Sequence, residues 1–361
     1  MNMKVSEFKT TAMSIPVEPP RKSAADFAKV NPVVLEFRTV DGLSAHGIAH
    51  TYNDRQVDLL KGCVDALAEV MIGQDVFRWA EAWQKLWHST FRMGRQGFAI
   101  CALSAVDMAL WNLRAKALNM PLSKLLGGYR DEVPAYASHS LWRDFSIDQL
   151  QRDAASLVEQ GFRAMKLRMG DKPLGVEMDR LRAVREAVGP DVKIMVDIRG
   201  DWTVADSIRM GRKMEEYDLY WFEDPIPSHD LDGLAEIAHA LDVAVVVGED
   251  VSTRYGFHRL LEKKATDIAM IDVSIVGGVT EWVRVATLAD ARNLKVVSHL
   301  YHEFSCHLVA AVPNGLTVEY LPFWNQIYIE PPTVTNGSIK IPDKPGIGYE
   351  LDQDVMTRYR M

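Results

Sequence analysis

The sequence predicts an α/β chain whose second half is an eight-stranded parallel barrel, preceded by a separate α+β unit. Three observations carry this. Asp197, Glu223 and Glu249 stand 26 residues apart (197 to 223, 223 to 249), each at the end of a short apolar run: KIMVDIRGDW, LYWFEDP and VAVVVGED. That interval is one strand, one helix and their connections. The period continues both ways, to Lys166 and Arg168 in FRAMKLRMG, Asp272 in DIAMID, His299 in KVVSH and Glu319 in LTVEY. Helical patterns fill the gaps at 149–159, 178–187, 204–217, 231–241, 256–263, 280–292 and 305–312. Strand, helix, strand at this spacing means parallel pairing through right-handed crossovers. With a first strand near 133–138, eight strands can close a barrel, and such barrels keep their chemistry at the strand carboxyl ends. An open doubly wound sheet competes, but no Gly-rich phosphate turn follows a first strand.

Before the barrel the pattern changes. Segments 5–14 and 33–39 read as strands, and 43–50 as a third after the turn VDGL. The stretch between them, 16–32, holds Pro16, Pro19, Pro20 and Pro32 and is expected to be a long surface loop, of the kind that serves as a lid. Helical patterns follow at 54–72, 76–87 and 97–117. Strands followed by helices mark an α+β unit distinct from the barrel.

Composition sets limits. A chain of 361 residues, 48% hydrophobic and 25% charged, is long enough for two units. Segment 1–16 lacks an apolar signal core, and no 18-residue apolar stretch points to a membrane span, so a cytoplasmic protein is expected. Cys63, Cys101 and Cys306 have no metal-ligand spacing and read as reduced thiols. A net charge of −8 without a basic, aromatic-studded patch argues against nucleic acid. An anionic substrate is still possible, because a cation with Lys166 and Arg168 outweighs a modest global charge locally.

Acids at the ends of three consecutive parallel strands point into one mouth. Crowded carboxylates repel unless a cation neutralises them, and an all-oxygen set suits a hard ion such as Mg²⁺. Asp197, Glu223 and Glu249 therefore read as a metal site. Any one of them alone is more often a helix N-cap or first-turn residue. His299 titrates near working pH and suits a general base or acid. Asp272, one βα unit earlier, would accept its other ring N–H.

The stretch AICALSAVDMALWNLRAKALNMPLSKLLGG (99–128), the Lys166-x-Arg168 pair, the three acids, IVGGVTE after Asp272 and SHLYHE at His299 together resemble the enolase superfamily, mandelate racemase subgroup. The resemblance runs over nearly the whole chain. It implies a (β/α)7β-type TIM barrel with an N-terminal α+β capping domain: 1–130 as cap, 131–330 as barrel, and 331–361 as a C-terminal segment returning to the cap. It also implies Mg²⁺-assisted removal of the proton α to a carboxylate, giving an enediolate, on a small anionic substrate selected by the cap. By family position Lys166 would hold a carboxylate oxygen. Glu319 would hydrogen-bond a substrate oxygen through a shared proton and so have a raised pKa. Ser138 reads equally as a substrate contact or a loop hydrogen-bonder, and Trp142 and Trp324 as pocket wall or packing. Trp221 reads as core, Asp224 and Asp250 as structural, and His302 and His307 as helix packing. A homo-oligomer is expected.

One departure from the family pattern chooses among reactions. Arg168 occupies a position where a lysine often acts as a second base, and arginine is always protonated. A two-base racemase needs proton transfer on both faces of the intermediate. A dehydratase needs one base and an acid for the departing hydroxyl, and His299 can be both in turn. Arg21, Lys22, Tyr52, Asn53 and Arg55 in the cap also suit a polyhydroxy acid. The expectation is an acid-sugar dehydratase, a lyase. The alternatives are a hydroxy-acid racemase or epimerase, a lactonizing-type cycloisomerase (disfavoured by the His299–Asp272 pair), and a catalytically silent binding protein.

Overall fold

The computed structural model describes residues 3–22 and 26–361, with the side chains of 18–27 outside that description. Four strands open the chain: β1 (Val5–Ala12), β2 (Ile15–Lys22), β3 (Asp26–Thr39) and β4 (Ser44–Thr51). They form an antiparallel sheet in which the long β3 pairs with β4 on one side and with β1 and then β2 on the other. The loop expected over 16–32 is therefore corrected. Its described residues form a hairpin, with β3 running back to Asp26 and pairing Lys22 with Asp26 and Ile15 with Val30. Pro16, Pro19 and Pro20 fall on an edge strand whose register shifts between Pro16 and Arg21, the setting in which a residue without an N–H is tolerated.

Helices Val57–Glu69, Trp79–Ser89 and Phe98–Ala117 complete the cap. The last is long and apolar enough by composition to cross a membrane, contrary to the expectation that no such stretch exists. It is a core helix here, with 83% of its apolar window buried. It packs on β4 so closely that a Cβ at Gly47 would lie 2.0 Å from Ala105 O. It also docks the cap on the barrel. Asp107 accepts Thr280 N at 2.8 Å and Thr280 Oγ1 at 2.7 Å, and Trp111 Nε1 donates to Thr280 Oγ1 at 2.8 Å.

The barrel strands are β5 (Glu132–Ala137), β6 (Ala164–Arg168), β7 (Lys193–Asp197), β8 (Leu219–Glu223), β9 (Val245–Val247), β10 (Ile268–Asp272), β11 (Lys295–His299) and β12 (Val318–Tyr320). They are parallel neighbours in the order β11-β10-β9-β8-β7-β6-β5-β12. The seam between β11 and β12 is bridged by Leu316 N to Val296 O at 2.9 Å and Glu319 N to Ser298 Oγ at 3.2 Å. A last strand, β13 (Ser338–Lys340), runs antiparallel to β5, and the chain end returns to the cap sheet through Met361 N to Ala12 O at 3.0 Å.

Strand periodicity places the site. Tyr136, Ala164, Met195, Trp221, Val246, Met270 and Val297 form one apolar cluster, with one residue from each of β5 to β11. Side chains two residues on share the same face. Those residues are Ser138, Lys166, Asp197, Glu223, Gly248, Asp272 and His299. An apolar plug thus fills the barrel, and a polar ring lies one layer above it, at the carboxyl end.

Candidate active site

A cavity of about 830 Å³ opens at that end between barrel and cap. From the barrel it is lined by Lys166, Arg168, Asp197, Arg199, Glu249, Asp250, Asp272, Ser274 and His299, and from the cap by Lys29, His50, Tyr52, Asn53, Asp54 and Arg55. Trp142, Leu321 and Phe323 close one wall.

The polar ring is densely paired. Lys166 Nζ lies 2.6 Å from Glu223 Oε1, 2.9 Å from Glu319 Oε1 and 3.5 Å from Asp197 Oδ2. One ammonium serves three carboxylates, and although burial opposes its charge, these acids hold its pKa well above the usual lysine range. The acids divide. Burial pushes against the charge of Asp197, but Lys166, Arg168 and Arg199 outweigh it and lower its pKa. Burial and the nearby acids push Glu223 up to about 8 despite Lys166. Trp221 Nε1 donates to Glu223 Oε2 at 2.9 Å, so this core residue also ties the plug to the ring.

Glu249 sits beyond β9 because Gly248 turns the chain at φ 138, where a Cβ would lie 2.4 Å from Met270 O. Its pKa is raised, first by burial, with His299 acting against the shift. Asp224 Oδ1 is buried without a hydrogen-bond partner among the described residues, and burial followed by Glu249 and Glu223 raises its pKa well above the carboxylate range.

These observations test the fit of a metal. Among the described residues no three acidic, His or Cys side chains already converge at metal-binding distance. Glu223 instead takes Lys166, and Glu249 takes His299 Nε2 at 3.3 Å. Yet burial first, and then the neighbouring acids, raise the pKa of Glu223, Glu249 and Asp224. Buried oxygen donors short of positive charge are the chemistry a hard divalent cation satisfies. The residues fit Mg²⁺.

Opposite stands the expected dyad. His299 Nδ1 lies 2.7 Å from Asp272 Oδ2. Asp272 Oδ1 also accepts Ser274 N at 2.6 Å, Ser274 Oγ at 2.7 Å and Ile275 N at 3.2 Å, which fixes its orientation. Burial opposes the imidazolium, but Glu249, Glu319 and Asp272 together push His299 up to about 10. Just beyond, Leu300 and Tyr301 both take left-handed backbone (φ 48 and 47), rare for such residues and typical of functional sites. That turn aims Leu300 N at Glu319 Oε2, 2.8 Å away.

Three expectations need correction. Glu319 does not have a raised pKa. Burial pushes it up, but Lys166, His299, Arg168 and the Ser138 hydroxyl outweigh this and hold it well below the usual range. It is an ionised acceptor. Ser138 is fully buried beneath the cavity, donating to Glu319 Oε1 at 2.6 Å and accepting Arg168 Nη2 at 2.8 Å, while Ser138 O accepts Arg168 Nη1 at 2.8 Å. It holds two site residues together and does not face the substrate space. Trp324 is buried behind the wall, its Nε1 donating to Glu303 Oε1 at 2.9 Å. Ser138 shares the face of the polar ring but is covered by Glu319 and Arg168, and Trp324, four residues beyond β12, packs on Glu303.

Arg168 also stacks on Trp142, with Cζ 4.0 Å from the ring centroid, so its guanidinium is held on three sides. The side chains of Arg21 and Lys22 lie outside the described residues. His302 and His307 are buried packing residues, as expected. Sequence reasoning missed Arg199 and His50. Arg199 lies two residues beyond Asp197 in left-handed backbone (φ 55), and the strand period could have found it. His50 at the end of β4 carried no local signal.

Fold and site thus define a strand-end, acid-rich barrel enzyme with a covering cap, and similarity to known proteins specifies it further. Residues 6–127 match the mandelate racemase / muconate lactonizing enzyme N-terminal domain, and residues 149–355 the enolase C-terminal domain-like family. The chain belongs to this family of the enolase superfamily. It is 34% identical over 327 residues to a 3,6-anhydro-alpha-L-galactonate cycloisomerase of Streptomyces coelicolor, covering 90% of each chain. It is 32% identical to an arabinonate dehydratase of Saccharolobus solfataricus, over 91% of this chain and 90% of the other. A racemase from Streptomyces coelicolor, solved with bound magnesium, superposes with a TM-score of 0.95 at 31% identity, over 99% of this chain and all of the other. Several other solved relatives also hold magnesium. Three relatives thus carry three different reaction names.

Proposed function

We propose that the chain is a Mg²⁺-dependent acid-sugar dehydratase, converting a sugar acid to a 2-keto-3-deoxy acid. The observation that carries this is the asymmetry of the mouth. One side has an imidazole backed by a carboxylate, with His299 Nδ1 2.7 Å from Asp272 Oδ2. The other has Arg168, whose guanidinium is committed to Ser138 and Trp142 and cannot take a proton.

Held by Asp197, Glu223 and Glu249, Mg²⁺ would supply Lewis-acid stabilisation of the charge that develops on the substrate carboxylate. Lys166 and Arg168 add fixed positive charge beside it. His299 becomes available as a base once the charge of Glu249, which raises its pKa, is neutralised. It removes the α-proton, and Asp272 stabilises the imidazolium and holds its orientation. The electron pair left on the α-carbon forms the C2–C3 double bond as the C3–O bond breaks. The imidazolium returns the proton to that departing oxygen, water leaves, and the enol becomes the 2-keto acid. Glu319, ionised and fixed by Lys166, Ser138 and Leu300 N, acts as an acceptor that positions Lys166.

A second reading, a cycloisomerase, is favoured by the 34% identity to a protein of that name, while the His299–Asp272 pair speaks for the dehydratase. Incubating the protein with Mg²⁺ and a panel of sugar acids separates the two. A dehydratase yields a 2-keto acid and water, whereas a cycloisomerase yields a product of unchanged mass. Absence of any 2-keto product across the panel overturns the dehydratase reading.

A further inference from the structure

Arg180 lies outside the cavity, yet its one guanidinium holds the backbone of two residues that meet inside it. It stands in the helix Leu174–Val188, which follows β6, and is 2% exposed. Its Nη2 donates to Trp142 O at 3.1 Å and to Arg168 O at 3.2 Å, and its Nη1 donates to Phe145 O at 2.7 Å. Trp142 and Arg168 are the pair whose side chains stack, with Arg168 Cζ 4.0 Å from the ring centroid. Glu177, one turn earlier and fully buried, pairs with Arg180 Nε at 3.3 Å. Its Oε1 accepts Gly170 N at 2.8 Å and Lys172 N at 3.1 Å. One helix turn thus clamps both the loop after β5 and the loop after β6.

The strands leave this task to side chains. Among the described residues, β5 and β6 share one register pair, Ala137 with Met165, whereas β6 and β7 share five, up to Arg168 with Asp197. The ladder therefore fixes Arg168 towards β7, while the Trp142 ring arrives from the β5 side. A backbone bond from Arg168 N to Leu141 O at 3.1 Å crosses the gap, and Leu141 takes left-handed backbone there (φ 57). Arginine suits the remaining contacts, because its planar fork presents five donors in fixed directions. A buried guanidinium needs partners wherever it sits. What singles out Arg180 is that its partners are the carbonyls of a stacked pair in the site.

We propose that Arg180 is a positioning residue, setting the Trp142 ring against the Arg168 guanidinium and so fixing where that positive charge stands at the cavity. This deepens the dehydratase reading and rests on it for the effect on rate. Charge aimed at where negative charge develops acts on the transition state more than on the bound substrate. A displaced Arg168 therefore lowers kcat and leaves KM nearly unchanged. Glu177 supplies the counter-charge that keeps the guanidinium in place.

Arg180→Lys is the test, since it keeps a positive charge beside Glu177 and loses the fork. The expected result is a loss of about tenfold in kcat, with KM and Mg²⁺ affinity close to wild type. In a Trp142→Leu background, where no ring is left to place, the same change should cost almost nothing further. The full loss in both backgrounds, or a loss confined to KM or Mg²⁺ affinity, would overturn the inference while leaving dehydration intact. Fluorine NMR of the protein labelled with fluorotryptophan reads the position without turnover, the Trp142 signal being assigned from its loss in Trp142→Phe. Arg180→Lys should shift or broaden that signal and leave the cap tryptophans unchanged, and an unmoved Trp142 signal would overturn the positioning role. Glu177→Gln serves if Arg180→Lys does not fold, and should move the same signal and lower kcat in the same direction. If the wild type dehydrates no sugar acid, the proposed function fails, and the Trp142 signal still decides whether Arg180 places the ring.

Discussion

The floor and the wall of the cavity are built differently. On the floor, each charge is held by several partners: Lys166 by three acids, Arg168 by Ser138 and Trp142, and Asp272 by four donors. On the cap side, Lys29 and Asp54 form a half-exposed pair at 3.5 Å, and Tyr52 is 43% exposed. The floor sits on strand ends, where backbone ladders fix each side chain to a fraction of an ångström, as catalytic geometry requires. The wall is a sheet end and the segment after it, which can vary without disturbing the chemistry. Under the proposed function, the reaction type would rest on the floor and the choice of substrate on the wall.

The largest effects should come from breaking the floor. Removing divalent metal with EDTA should abolish activity, and Mg²⁺ should restore it. Full activity in a metal-free preparation would remove the metal from the account. His299→Asn should lower kcat by about 10³-fold, with the melting temperature and Mg²⁺ affinity close to wild type. Asp272→Asn should act in the same direction by about 10- to 100-fold, and an equal loss in both would mean that Asp272 does more than orient the ring.

This division also governs what was legible in the sequence. The floor was readable because βα spacing repeats and a strand's period of two places every strand-end acid on one face. Asp197, Glu223, Glu249, Asp272 and His299 all followed from spacing before any contact was known. What spacing cannot convey is pairing. Glu319 read as a shared-proton donor, but its charge state depends on Lys166 and Ser138, far away in the chain. Ser138 and Trp324 lie past the expected strand ends yet are taken up by neighbouring side chains, which only tertiary packing decides. The wall was far less readable. The prolines of 16–32 signal a missing N–H, and both an edge strand and a loop satisfy that signal. His50 acquires its place from Tyr301, 251 residues away.

A moderate effect should sharpen the seam between the two regions. Glu303 is fully buried there, accepting from Trp324 and, at 3.4 Å, from Tyr328. Burial pushes its pKa up to about 7 from 4.5, with the Trp324 hydrogen bond acting against it. The folded protein therefore holds this proton above the pH at which the unfolded chain loses it. The stability this contributes is full below about 4.5 and is lost as pH rises through about 7. Glu303→Gln should flatten the fall in unfolding free energy across that window by an amount on the order of 3 kcal/mol. An unchanged slope would mean that Glu303 is already ionised in the fold.

The smallest effects should come from the cap. Replacing Arg21 and Lys22 by Ala should change kcat/KM by a few-fold, unevenly among sugar acids and without altering Mg²⁺ affinity. A uniform change would mean that Arg21 and Lys22 do not select the substrate.

The central claim is that protons move on one face only, through His299. The most direct measurement is NMR of α-proton exchange and product formation in D₂O with Mg²⁺, comparing wild type, His299→Asn and His299→Asn with Arg168→Met. The account predicts 2-keto product from the wild type, and neither product nor exchange from either variant. Exchange that persists in His299→Asn and disappears on adding Arg168→Met would contradict it, showing that Arg168 is a base and that the protein is a racemase or epimerase.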